Sequence, residues 1–178
     1  MPTFVLDSNC YSYLINAMQG ASRPTDALAQ EKMALVRSFL YGPYSYFLTP
    51  TVDDEWRAIP DPVKRALHAS WNNALFGTLP LEESTLDRIS ARVQMFSAQH
   101  SSESDCRVLA EAEVLGADGV LSYDHSFVSR LAGSTSIDLL TPSSHWLSLG
   151  IRRGAKLRLT PSQDNPLAEQ KWWRWEAH

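Results

Sequence analysis

Four carboxylates in this sequence fall where an acidic group can reach a bound ligand: Asp7, Glu55, Asp105 and Asp124. Asp7 ends Thr3-Phe4-Val5-Leu6, a continuous apolar run of the kind expected of a strand buried on both faces. Asp124 follows a second such run, Gly119-Val120-Leu121-Ser122. In open parallel sheets, ligand sites lie outside the carboxyl ends of the strands, so these two aspartates are expected at one edge. Glu55 lies on the apolar stripe Val52, Trp56, Ile59 of a helix, where a carboxylate is costly unless paired or bound to a metal. Asp105 precedes Val108 and Leu109 at helical spacing and shares their buried face, whereas Glu103, Glu111 and Glu113 are expected off it. Each acid also has an ordinary explanation. Asp7 and Asp105 suit helix caps, and Asp124 suits a turn.

The elements that would position these residues are legible from punctuation and periodicity. After the first strand, a helix is expected over Asn9–Met18, stopping at Gly20, and a second begins with Thr25 as its cap. Tyr46-Phe47-Leu48-Thr49-Pro50 reads as a strand running into the Glu55 helix, where Asp53 and Asp54 are first-turn acids favoured by the helix dipole. Pro60 stops that helix, and Asp61-Pro62 caps another that runs to about Phe76. Leu79-Pro80-Leu81 is expected as a short edge strand, since proline excludes a central one. Glu83–Ser97 reads as a helix with Leu86, Ile89, Val93 and Phe96 on one face. Ser102 caps the Asp105 helix, with Asp105 as the acidic partner of a capping box, and Gly116 ends it. No internal repeat is evident. Strands alternating with helices imply a three-layer α/β/α domain with a mostly parallel central sheet.

With 178 residues, 44% apolar and 20% charged, the chain has core enough for one domain. MPTFVLD carries no basic leader, and no apolar run approaches membrane length. Two cysteines do not make a disulfide framework; Cys10 and Cys106 are expected as small buried helix residues, and the compartment as the cytoplasm.

At these four acids the chain resembles the PIN-domain nucleases, a family that includes toxin ribonucleases of toxin–antitoxin pairs and several RNA-processing endonucleases. The matching stretches are Asp7 in VLDSN, Glu55 in LTPTVDDEW, Asp105 in SDCRVLAEA and Asp124 in SYDHSF, with Ile137-Asp138-Leu139-Leu140-Thr141-Pro142 as the last strand. The resemblance covers about Pro2 to Trp146. It implies that the four acids converge in one cleft as metal ligands and catalytic groups. Four carboxylates so placed could not all ionise unaided. Hard divalent cations relieve that repulsion, and oxygen ligands select Mg²⁺ or Mn²⁺ over zinc. Such ions lower the pKa of a water and stabilise the leaving oxygen of a phosphodiester. The implied activity is endoribonuclease cleavage of single-stranded RNA, with a protein antitoxin and a homodimer as the implied assemblies. Ser8, Asn9 and Ser122 stand beside the acids and are suited to orient them. The five histidines form no ligand-spaced pair.

Two stretches depart from compact members of that family. About fifty residues separate Glu55 from Asp105. Residues 150–178 form a basic tail of net charge +3, leaving residues 1–149 at −7 of the chain's −4. Trp172, Trp173 and Trp175 lie within it. Cations and indoles suit phosphates and bases, and equally suit a protein partner or the tail's own domain. A G-x-G-x-x-G, a P-loop and a G-x-S-x-G are all absent. The sequence leaves open a DNA nuclease and a catalytically silent RNA- or protein-binding module.

Overall fold

The computed structural model describes residues 1–20 and 24–158. The expectations for the Trp-rich end of the tail fall on residues 159–178 and lie outside the described residues. The elements run β1 (Thr3–Leu6), α1 (Ser8–Gly20), α2 (Ala29–Tyr41), β2 (Ser45–Phe47), α3 (Pro50–Arg57) and α4 (Pro62–Trp71). A π-turn (Asn72–Phe76) and a 3-10 turn (Glu83–Thr85) follow. Then come α5 (Leu86–Ser97), α6 (Glu103–Val114), β3 (Gly119–Leu121), α7 (His125–Leu131), β4 (Asp138–Leu140) and α8 (Pro142–Ser148).

The sheet has the order β2-β1-β3-β4, with every pair parallel. The chain steps from β1 outward to β2, then returns past β1 to β3. Right-handed crossovers therefore place the two sets of connecting helices on opposite faces, which gives the three layers. The central strands are apolar throughout: Val5, Leu6, Val120 and Leu121 have no exposure. Gly119 is required for the β1–β3–β4 spacing, because a Cβ there would lie 2.5 Å from the Phe4 ring and 2.6 Å from the Asp138 carbonyl. Among the described residues no helix is long and apolar enough to cross a membrane.

Local chemistry sets most of the helix starts. Thr49 caps α3, Asp61 caps α4, Ser102 caps α6, Asp124 caps α7 and Thr141 caps α8. Gly116 ends α6 at φ +84°. Cys10 and Cys106 are free and buried, as expected.

Four expectations are corrected. Thr25 does not cap α2. The helix begins at Ala29, after a turn in which Asp26 Oδ1 accepts from Leu28 N–H at 3.0 Å. Leu79–Leu81 forms no strand; one parallel bridge, Leu48 to Thr78, stands in its place, with Leu79 N–H donating to Leu48. Leu86 is partly solvent-facing, so the α5 stripe rests on Ile89, Val93 and Phe96. Glu111 is buried in α6 at 2% exposure, because Thr51 at the start of α3 supplies its partners.

The residues just beyond Leu149 remain on the domain. Ile151, Ala155 and Leu157 pack against the core, and Arg158 N–H donates to Leu40 O at 3.0 Å.

Candidate active site

Asp7 leaves the carboxyl end of β1, its N–H bonded to Leu121 O of β3 at 3.1 Å. Its carboxylate turns back on α1 and accepts from Cys10 N–H at 2.6 Å. Only 7% of the residue is exposed. Burial raises the Asp7 carboxyl above the ordinary aspartate range, and the Asp105 charge adds to that; the Ser122 hydroxyl and Cys10 work against it by stabilising the anion. The Cys10 thiol is pushed well up by burial and by the Asp7 charge, so it is a packing residue and not a nucleophile.

Ser122, at the end of β3, serves two acids. Its hydroxyl supports Asp7 and also accepts from Asp124 N–H at 3.0 Å. Asp124 is exposed, and its Oδ1 caps α7 through Ser126 N–H at 2.8 Å and Phe127 N–H at 3.0 Å. The cap uses one oxygen and leaves the other for a ligand.

Glu55 on α3 is half-buried and held from two sides. Ser8 of α1 donates to its Oε2, and Ser104 of α6 donates to its Oε1. Those serines are the chain neighbours of Asp7 and Asp105. Three helices that start at widely separated points in the sequence therefore meet at Glu55.

Asp105 has a partner that sequence reasoning missed. His100, 6% exposed, places Nε2 3.0 Å from Asp105 Oδ2. Its ring lies against Phe127, with centroids 5.3 Å apart. Asp105 N–H donates to Ser102, but the carboxylate goes to His100 instead of closing the expected capping box. One ligand atom each of His100, Asp105 and Asp124 lie within 4.8 Å of one another. Asp7 and Glu55 stand outside that group. The only sequence signal for His100 was its place just before the Ser101-Ser102 start of the Asp105 helix.

The hydrogen bonding of His100 assigns its tautomer. Nδ1 is buried and has no hydrogen-bond partner among the described residues. Nε2 therefore carries a proton and donates it to Asp105. To bind a metal through Nε2, the ring would have to move that proton to Nδ1, where nothing receives it, at a cost of about 1–3 kcal/mol. His100 is thus better suited to orienting the Asp105 carboxylate than to binding an ion itself.

Other acids at this edge have structural partners. Asp53 accepts from Trp56 Nε1 at 2.9 Å and Arg57 Nε at 2.7 Å, and it tethers Asn72 and Thr78. Asn9 and His125 are exposed; His125 Nε2 lies 3.7 Å from Glu31 Oε1. Compared with protein-family models and with curated proteins, the chain matches none.

Proposed function

We propose that this chain is a divalent-metal-dependent endoribonuclease of the PIN type, acting on single-stranded RNA. One observation carries the reading: Asp7, Glu55, Asp105 and Asp124 gather at the carboxyl edge of an all-parallel sheet, tied together through Ser8, Ser104 and Ser122. The donor set fits a hard cation. Burial and the Asp105 charge disfavour the anionic form of Asp7, and a bound cation would favour it. Asp105 and Asp124 offer oxygens within 4.8 Å of each other, and Asp7 and Glu55 would complete an oxygen set of the kind a hard cation takes. Mg²⁺ or Mn²⁺ bound there would polarise a phosphodiester and lower the pKa of a water.

The protein's own contribution is positioning. Ser8 and Ser104 hold both oxygens of Glu55, so its charge has one orientation. His100 fixes Asp105. The α7 cap fixes Asp124. Preorganised acids of this kind lose little entropy when a cation and a phosphate arrive.

The test is direct. Purified protein should cleave single-stranded RNA with Mn²⁺ or Mg²⁺ and be inactive in EDTA. Asp105→Asn should lower the rate by about two orders of magnitude or more with the fold intact. Full activity in that variant would leave Asp105 only a helix-start residue. An inactive wild type would favour a binding module, and cleavage of DNA alone would place the enzyme among the DNA nucleases.

A further inference from the structure

We infer that the cavity between α2 and α8 is a nucleotide subsite, which seats one base and phosphate of the RNA strand beside the acidic cleft. The inference rests on the ribonuclease reading, which it extends to how the strand is held. The cavity has a volume of about 440 Å³, in the range of small-ligand sites. Met33, Trp146 and Leu147 supply apolar walls, and Gln30, Arg37 and Ser143 supply the polar groups. Leu147 is 78% exposed at the rim.

Arg37 is the informative residue. Its Nε is buried and has no hydrogen-bond acceptor among the described residues. Arg92 Nε is also buried without an acceptor, but Arg92 Nη2 bonds Glu113 and the Ser134 carbonyl. Arg65 bonds the Ile59 carbonyl, and the half-exposed Arg57 and Arg107 pair with Asp53 and Glu111. A half-buried guanidinium whose Nε lacks an acceptor, in a pocket with an indole and a thioether, matches a ligand that is flat and anionic. A nucleotide has both properties: its base stacks on Trp146 and its phosphate takes the Arg37 fork.

Position links the pocket to the cleft. All strands are parallel, so α2, which leads into β2, and α8, which leaves β4, both begin at the carboxyl edge where the acids stand. Glu31 of α2 bonds Ser143 of α8 and lies 3.7 Å from His125, the residue after Asp124. A strand crossing the cleft past Asp124 therefore meets the mouth of this pocket next.

The experiment is binding of a labelled single-stranded oligoribonucleotide of about 12 nucleotides, followed by anisotropy in EDTA so that cleavage plays no part. Leu147→Glu puts a like charge at an exposed rim position and leaves the core untouched. It should weaken binding about tenfold. Arg37→Gln should weaken binding and make the log–log salt slope shallower by about 1. Circular dichroism confirms that each variant is folded. Affinity and salt slope equal to wild type in Leu147→Glu would overturn the subsite, as would a wild type that binds no RNA. Cleavage of the same strand with Mn²⁺ separates the two readings. Arg37-dependent binding without any cleavage keeps the subsite and removes the nuclease. Cleavage with unchanged affinity in both variants removes the subsite and keeps the nuclease.

Discussion

Glu31 and Ser143 are joined twice across the fold: the Ser143 backbone N–H donates to one carboxylate oxygen at 2.8 Å and its hydroxyl to the other at 2.7 Å. The same device recurs on another pair of helices. Thr51 donates its N–H to Glu111 at 2.9 Å and its hydroxyl at 2.8 Å. Each pair sits at a Leu-Thr-Pro-Thr/Ser start, 48–51 or 140–143, where an edge strand gives way to a helix capped by threonine with proline next. A buried glutamate from another helix thus anchors the first turn of α3 and of α8, where free N–H groups and the helix dipole favour an anion. This short recurrence was not evident as a repeat in the sequence.

These glutamates separate folding from chemistry. Glu31→Gln and Glu111→Gln are each expected to cost about 1–3 kcal/mol in urea unfolding, since an amide cannot accept twice with full charge. Metal affinity should be unchanged. Glu55→Gln is expected to cost less than about 1 kcal/mol, because serine hydroxyls can reverse donor and acceptor roles, and to weaken metal binding. A large loss of stability in Glu55→Gln would mark it as another bracket.

Metal binding can be read without catalysis. Mn²⁺ at about 100 times its Kd should add about 2.7 kcal/mol to stability and raise Tm. Asp7→Asn should abolish the gain. An equal shift in wild type and variant would remove Asp7 from the site.

His100 can be tested by its donor. His100→Ala should weaken Mn²⁺ affinity or activity about 10- to 100-fold by freeing Asp105. His100→Gln, which keeps an N–H, should recover part of that. If both variants behave alike while remaining folded, the hydrogen bond to Asp105 is not what matters.

His145 supplies a pH dependence. It is 1% exposed, with its ring tilted against Phe4 and edge-on to Tyr44, and with Nε2 3.3 Å from the Tyr46 hydroxyl. Burial pushes its pKa down from 6.5 to about 4. The unfolded chain then binds the extra proton between those values, so stability is full above pH 6.5 and falls as pH drops toward 4. The slope from this residue approaches about 1.4 kcal/mol per pH unit. His145→Phe should flatten it, leaving the contributions of His68, whose pKa burial also lowers, and of Asp7, whose raised pKa acts in the opposite sense. Urea titrations at several pH values would show an unchanged slope if His145 were not responsible.

The sequence by itself determined the strands that end on Asp7 and Asp124, the Asp61 and Ser102 caps and the α/β class. These follow from local rules: apolar runs, prolines, and small polar residues beside free N–H groups. It also marked the four acids, since each stands at an element boundary or on an apolar stripe. Only the tertiary structure decided which acids have partners. Glu111 was placed off the buried face by spacing, yet Thr51, sixty residues away in the chain, makes its burial affordable. His100 has no periodic signature, and its role exists only because the turn after α5 brings Nε2 to Asp105. The pocket around Arg37 depends on α2 meeting α8. Hydrogen bonds and charges act over a few ångströms in space, whatever the separation along the chain, so local pattern reveals the elements and not the pairs they form.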